Sequence, residues 1–226
     1  MTDVPAEPIR LLRVDARAGA VTIHAADVTE PVVESGHAER QGDTLVVTSH
    51  TRHVSVTVPV GTDVVILAVA GRVITTGILG RVVVATAAGR IDLDHASSVD
   101  IRATAGRVTV DRCIGECRLK LSAGRAEFGH VGSLHVMSDA GRVTAHEVDD
   151  DVTVRATSGR VDLGVRGGGN VDIETLHGRV EVTVHGSALP HVQATSAHGA
   201  VRVGLPEGDD FELRVLSAHG RVAVGR

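Results

Sequence analysis

Arginine is the residue whose type and spacing could do chemistry in this sequence. Of 23 basic residues only Lys120 is a lysine. Eight arginines share one repeated position: Arg72, Arg90, Arg107, Arg125, Arg142, Arg160, Arg179 and Arg221 each follow a glycine and precede an apolar residue. A guanidinium stays charged, and its planar fork grips carboxylate or phosphate bidentately. Brought into one column, these arginines would form a strip for a polyanion or an acidic partner. Acids stand two residues further on at Asp92, Glu127, Asp162 and Glu181, with Thr109 and Thr144 on the repeats between. In an extended chain that offset lies on the same face, so the acids are expected to neutralise guanidinia on their own and neighbouring repeats. Each exposed pair contributes only about 0–1 kcal/mol.

Other chemistries find less support. Of the 13 histidines, His177, His198 and His219 each stand just before the repeated glycine. Stacked, they would form a short ladder at one edge, but a metal needs ligands that converge, and no metal is expected. Cys113 and Cys117 frame an expected turn. A single Cys-x-x-x-Cys is weak grounds for zinc, which leaves a disulfide or two free thiols. No Gly-x-Ser-x-Gly nucleophile motif is present, and no helix follows the glycines to complete a phosphate cradle. A polysaccharide-acting enzyme would need aromatic platforms, and the only candidates, Phe128 and Phe211, read as core. No cofactor or catalytic residue is expected, although Asp and Glu are plentiful enough to keep a hydrolase as an alternative.

The elements that position the arginines follow from the glycines. Gly71, Gly89, Gly106, Gly124, Gly141, Gly159, Gly178, Gly199 and Gly220 are spaced by 18, 17, 18, 17, 18, 19, 21 and 21 residues. A fixed period with strand-like residues between the marks predicts a β-solenoid. Each rung of 17–21 residues holds about two strands, giving a flattened coil of two facing sheets. In one unit, Arg142–Ala145 is a strand, Glu147–Asp151 a turn, Val152–Ala156 a strand and Thr157–Gly159 a second turn. Alternation puts Val108, Val110, Val143, Val161, Leu163, Val180 and Val182 inside from the strands after the glycine. From the strands before it come Val99, Ile101, Leu119, Leu121, Val152, Val154, Val171, Ile173, Leu213 and Val215.

Residues 1–66 read as an N-terminal β cap and 67–226 as the repeats of a single domain. Pro59-Val60-Gly61 and Pro206-Glu207-Gly208 mark the two ends of the array. The strand pattern still runs at Val222–Arg226, which predicts an open β-edge at the last rung, apt to pair with another copy.

The bulk numbers agree with a narrow interior. Hydrophobic residues make up 42%, aromatics only 1%, and valine and alanine dominate. The net charge of -5 gives no reason to expect nucleic acid. No signal peptide or membrane span is apparent, and the two cysteines suit a reducing compartment. A cytoplasmic location is expected.

Ala18–Ile23, the passage Val56–Val64, and the recurring small-Gly-x-Val turn, as in Ser158-Gly159-Arg160-Val161, together resemble the putative-adhesin, or toastrack, family of bacterial β-strand-repeat domains. The resemblance runs from about residue 10 to the end. It implies a right-handed β-solenoid with no known catalytic activity. The family usually places an acid after the repeated glycine, where this chain has arginine. The expected function is non-enzymatic: a scaffold or interaction module, working through its arginine face or its open edge. The alternative is end-to-end self-assembly like that of bacterial β-helical cytoskeletal filaments.

Overall fold

The computed structural model describes residues 9–49 and 53–226. Every regular element among them is a strand. The chain runs β1 (Leu11–Ala26), β2 (Val32–Ser35), β3 (His37–Gln41), β4 (Thr44–Ser49), β5 (His53–Pro59) and β6 (Asp63–Thr76). It continues through β7 (Ile78–Val148), β8 (Val152–Val165), β9 (Val171–Val184), β10 (Pro190–His198), β11 (Val201–Val203) and β12 (Phe211–Gly225). β7 spans 71 residues because the backbone stays extended and paired through its corners. The expected turn at Thr157–Gly159 is likewise a bend inside β8 rather than a break in it. Valine and threonine favour such a pleated, half-buried path.

The strands of the repeat pair in parallel and in one register. Gly71 pairs with Gly89, Gly141 with Gly159, Gly159 with Gly178, and Gly178 with Gly220. The result is one large open sheet, ordered β10-β12-β9-β8-β7-β6-β1-β4-β3 along its main path.

Two expectations change here. β12 is not the edge. It lies between β9 and the β10–β11 rung, paired on both sides, so the open edge belongs to residues 190–203. At the other end, β1 is not part of a separate cap. It pairs with β6, Gly19 against Gly71, and on its far side with β4 and β5. Both ends therefore place the chain's first and last strands one rung inward. The cap proper is β2 and β3, which run antiparallel across β5 and β4.

The core is the predicted one. All seventeen aliphatic residues named above as inward-facing are buried, and Phe128 and Phe211 join them. Burying one valine contributes about 1.5–3 kcal/mol, so the stack is held by many small equal terms. Phe128, completely buried, is the one large ring in the middle of an otherwise aliphatic interior.

Candidate functional site: the arginine groove

The glycine column builds the site. Every repeated glycine except Gly199 has a positive φ, 138° at Gly106 and Gly124, for example. A Cβ on Gly124 would overlap the carbonyl oxygen of Gly106, and a Cβ on Gly106 that of Gly89. Only glycine lets successive corners stack this closely. The bare corners leave a shallow groove of about 780 Å³, floored by glycine backbone and walled by Arg90, Arg107, Arg125, Arg142 and Arg160. Register brings Arg72 beside Arg90, Arg142 beside Arg160, Arg160 beside Arg179, and Arg179 beside Arg221. The column predicted from the sequence exists.

The acids neutralise it only in part. Asp92 accepts from both Arg90 Nε (2.8 Å) and Arg72 Nη2 (3.2 Å). Arg160 donates to Asp162 (2.6 Å) and to Glu181 on the next rung (3.1 Å). The Asp162 carboxylate holds Arg160 above its already high ordinary pKa. Glu127 turns the other way, with its carboxylate 3.5 Å from His146 Nε2. Arg107, Arg125 and Arg142, exposed on three successive rungs, thus have no carboxylate in ion-pairing reach among the described residues. At a rung spacing of about 4.8 Å, they form an uncompensated cationic run between the Asp92 pairs on one side and the Arg160 pairs on the other; beyond Arg160, Arg179 and Arg221 are exposed and likewise have no carboxylate in ion-pairing reach among the described residues.

The other candidates fall into place around this groove. His177, His219 and His198 do stack, in that spatial order, with ring centroids 4.8 and 4.7 Å apart. Their rings lie side by side, as a ladder does, instead of converging on a point. Asp94, His95 and Asp111 bring ligand atoms within 4.8 Å of one another, a cluster the sequence reading missed. Asp94 is already committed, one oxygen 2.6 Å from His95 Nδ1 and the other accepting from the Gly77 amide at 2.9 Å. Carboxylates that converge do so on basic side chains: Asp162 and Glu181 on Arg160, Asp172 and Glu174 on Arg155, and Glu147 and Asp149 on His130 and Arg166.

Cys113 and Cys117 are free and buried. The Cys117 thiol donates toward Cys113, which lowers the Cys113 pKa against the opposing effect of burial. The same hydrogen bond, reinforced by burial, pushes Cys117 well above the ordinary thiol range.

No helix among the described residues is long and apolar enough to cross a membrane. No family model matches the sequence, and a comparison with curated proteins finds no match. Among solved structures, the chain is similar to one described as a putative cell adhesion protein from Clostridium sporogenes ATCC 15579, at 9% identity and a TM-score of 0.27, over 97% of this chain and 94% of that one.

Proposed function

We propose that the chain is a non-enzymatic β-solenoid, a flattened two-sheet coil of the toastrack kind. In this reading it is a cytoplasmic binding scaffold whose arginine groove takes an anionic partner. The parallel glycine-to-glycine register supports the solenoid. The observation that carries the binding role is the run of Arg107, Arg125 and Arg142 without acids. Uncompensated like charges on adjacent strands are unfavourable, and an anionic ligand relieves that cost. The test uses poly-glutamate as probe. Wild type should bind it with a marked salt dependence. The variant carrying Arg107→Glu, Arg125→Glu and Arg142→Glu should lose binding and the slope with it, about one unit of log K per log salt for each lost contact. Equal binding by the two proteins sinks the reading.

A second reading is self-association through the sheet edge. It is favoured by Val201 and Val203, which are 40% and 44% exposed on the uncapped β11. Light scattering that stays monomeric up to high concentration would remove it.

A further inference from the structure

The sheet ends on two unlike surfaces. At one end the last rung is β10 and β11, on either side of Gly199, and both pair inward with β12. At the other end the last layer is β3 and β2, which pair inward with β4 and β5. Among the described residues no strand pairs with the outer side of any of these four. Each end therefore offers two strand edges, one before the corner and one after it. Such edges are templates for another strand.

The last rung is cut off in mid-core. Val201 and Val203 stand two and four residues after Gly199, in register with Val222 and Val224 after Gly220, and through them with Val180 and Val182 after Gly178. Those four inner valines are at most 3% exposed, whereas Val201 and Val203 are 40% and 44% exposed. Leu67 and Val69 are exposed too, but at places where other rungs also expose a residue, Arg102 and Thr104. Val201 and Val203 are core positions that lack a cover.

The cap at the opposite end has the residues to cover them. Val33 pairs with Val56, which pairs with Ile23, four residues after Gly19. Ala38 pairs with Val47, which pairs with Val14, five residues before Gly19. On the last rung those two places belong to Val203 and Ala194. A copy stacked head to tail on the same axis thus sets Val33 against Val203 and Ala38 against Ala194. The polar side agrees. Arg202, three residues after Gly199, is exposed and in no ion pair among the described residues. At that place the cap carries Ser35, paired with Ser55, and beside it Glu34, whose carboxylate accepts from the Ser55 hydroxyl at 2.7 Å. The stack brings Glu34 one strand spacing, about 4.8 Å, from Arg202, as Arg160 already meets Glu181 on its neighbouring rung.

The wider charge follows the same sense. Residues 27–43 hold five acids and one arginine, whereas residues 185–204 hold one arginine and no acid. The nearby acids Glu207, Asp209 and Asp210 sit at the far end of the rung, where Gly208 and Asp210 donate to the carbonyls of Pro190 and Leu189. Two caps, or two last rungs, would bring like charges together, while a cap and a last rung are complementary. We propose that the β10–β11 edge binds the β2–β3 cap of a second copy of this chain, head to tail. The proposal rests on the reading that this edge self-associates, and it names the mate. A head-to-tail pair keeps one free edge and one free cap, so association continues past the dimer.

The test is analytical ultracentrifugation of the full chain over a range of concentrations at low salt. Wild type is expected to pass beyond the dimer as concentration rises. Arg202→Glu and Glu34→Arg, each alone, should need about 10-fold more protein to reach the same average mass. An equimolar mixture of the two single variants should associate like wild type, because the altered edge of one then meets the altered cap of the other. The chain carrying both changes should do the same. These two rescues also show that neither change acts by unfolding the chain, and both side chains are exposed. If Glu34→Arg associates like wild type while Arg202→Glu does not, the edge has another mate; the proposal falls and self-association through the edge stands. Growth that stops at a dimer overturns the proposal as well, since a symmetric contact closes on itself. A wild type that stays monomeric at every concentration overturns both.

Discussion

Gly124 shows why the repeated glycine was the easiest residue to interpret. Its φ of 138° and its contact with the Gly106 carbonyl leave no place for a side chain, and a backbone constraint of this kind appears in the sequence as a glycine recurring once per rung. Gly124→Ala is expected to lower unfolding free energy by about 3–5 kcal/mol, from left-handed strain plus overlap with backbone that cannot step aside; urea melts read this directly. The arginine that follows the glycine was only half legible. Its column follows from the glycine, but its partner does not, because a long flexible side chain can choose between rungs. Asp92 takes two arginines while Glu127 takes none, preferring His146. The state of the two cysteines is not legible in the sequence for a similar reason, since spacing alone does not fix sulfur contacts. Cys117, whose pKa is raised in the folded state, contributes stability in full below the ordinary thiol range of about 8.5. That contribution is lost as pH rises through its folded pKa. Cys113 is shifted the opposite way and offsets part of it. Wild type should therefore lose more stability than Cys117→Ala on going from about pH 8 to 10, in denaturant melts at each pH.

Among elements, β12 departs furthest from expectation. Two-period alternation identified Leu213 and Val215 as inward, because they face the core wherever the strand sits. Alternation carries no information about which neighbour a strand pairs with. The one available signal was the interval: the glycines on either side of Gly199 are 21 residues away, against 17 or 18 in most of the array. The added length lets the chain step past a vacant position and come back to fill it. Removing Val222–Arg226 is thus expected to act as an interior deletion. It exposes β9, takes two buried valines, Val222 and Val224, out of the core, and should cost about 3–6 kcal/mol, whereas fraying an end strand would cost little. Hydrogen exchange gives a second measure: amides of β10 and β11 should exchange faster than those of β12, although β12 comes later in the chain.

At the scale of the molecule, the pairings join rungs 17 or more residues apart, and nearly all are parallel. Long-range parallel pairing folds slowly, so refolding from urea is expected to take on the order of seconds or longer; a sub-millisecond phase carrying the full amplitude would contradict this. The all-β class, the single register and the glycine corner were legible because a repeat states the same instruction many times. The ends were not, because each is stated once. The order at the carboxyl end also constrains how the protein can be made. β10 and β11 touch the rest of the sheet through β12 alone. On a ribosome, residues 190–203 must emerge and wait, unattached, while β9 presents a bare edge beside them. Docking becomes possible only when the strand ending at Gly225 is free of the exit tunnel. The outermost rung thus works as a latch that closes only once β12 is in place, and a chain broken off before residue 211 would betray itself to proteases by the segment left hanging.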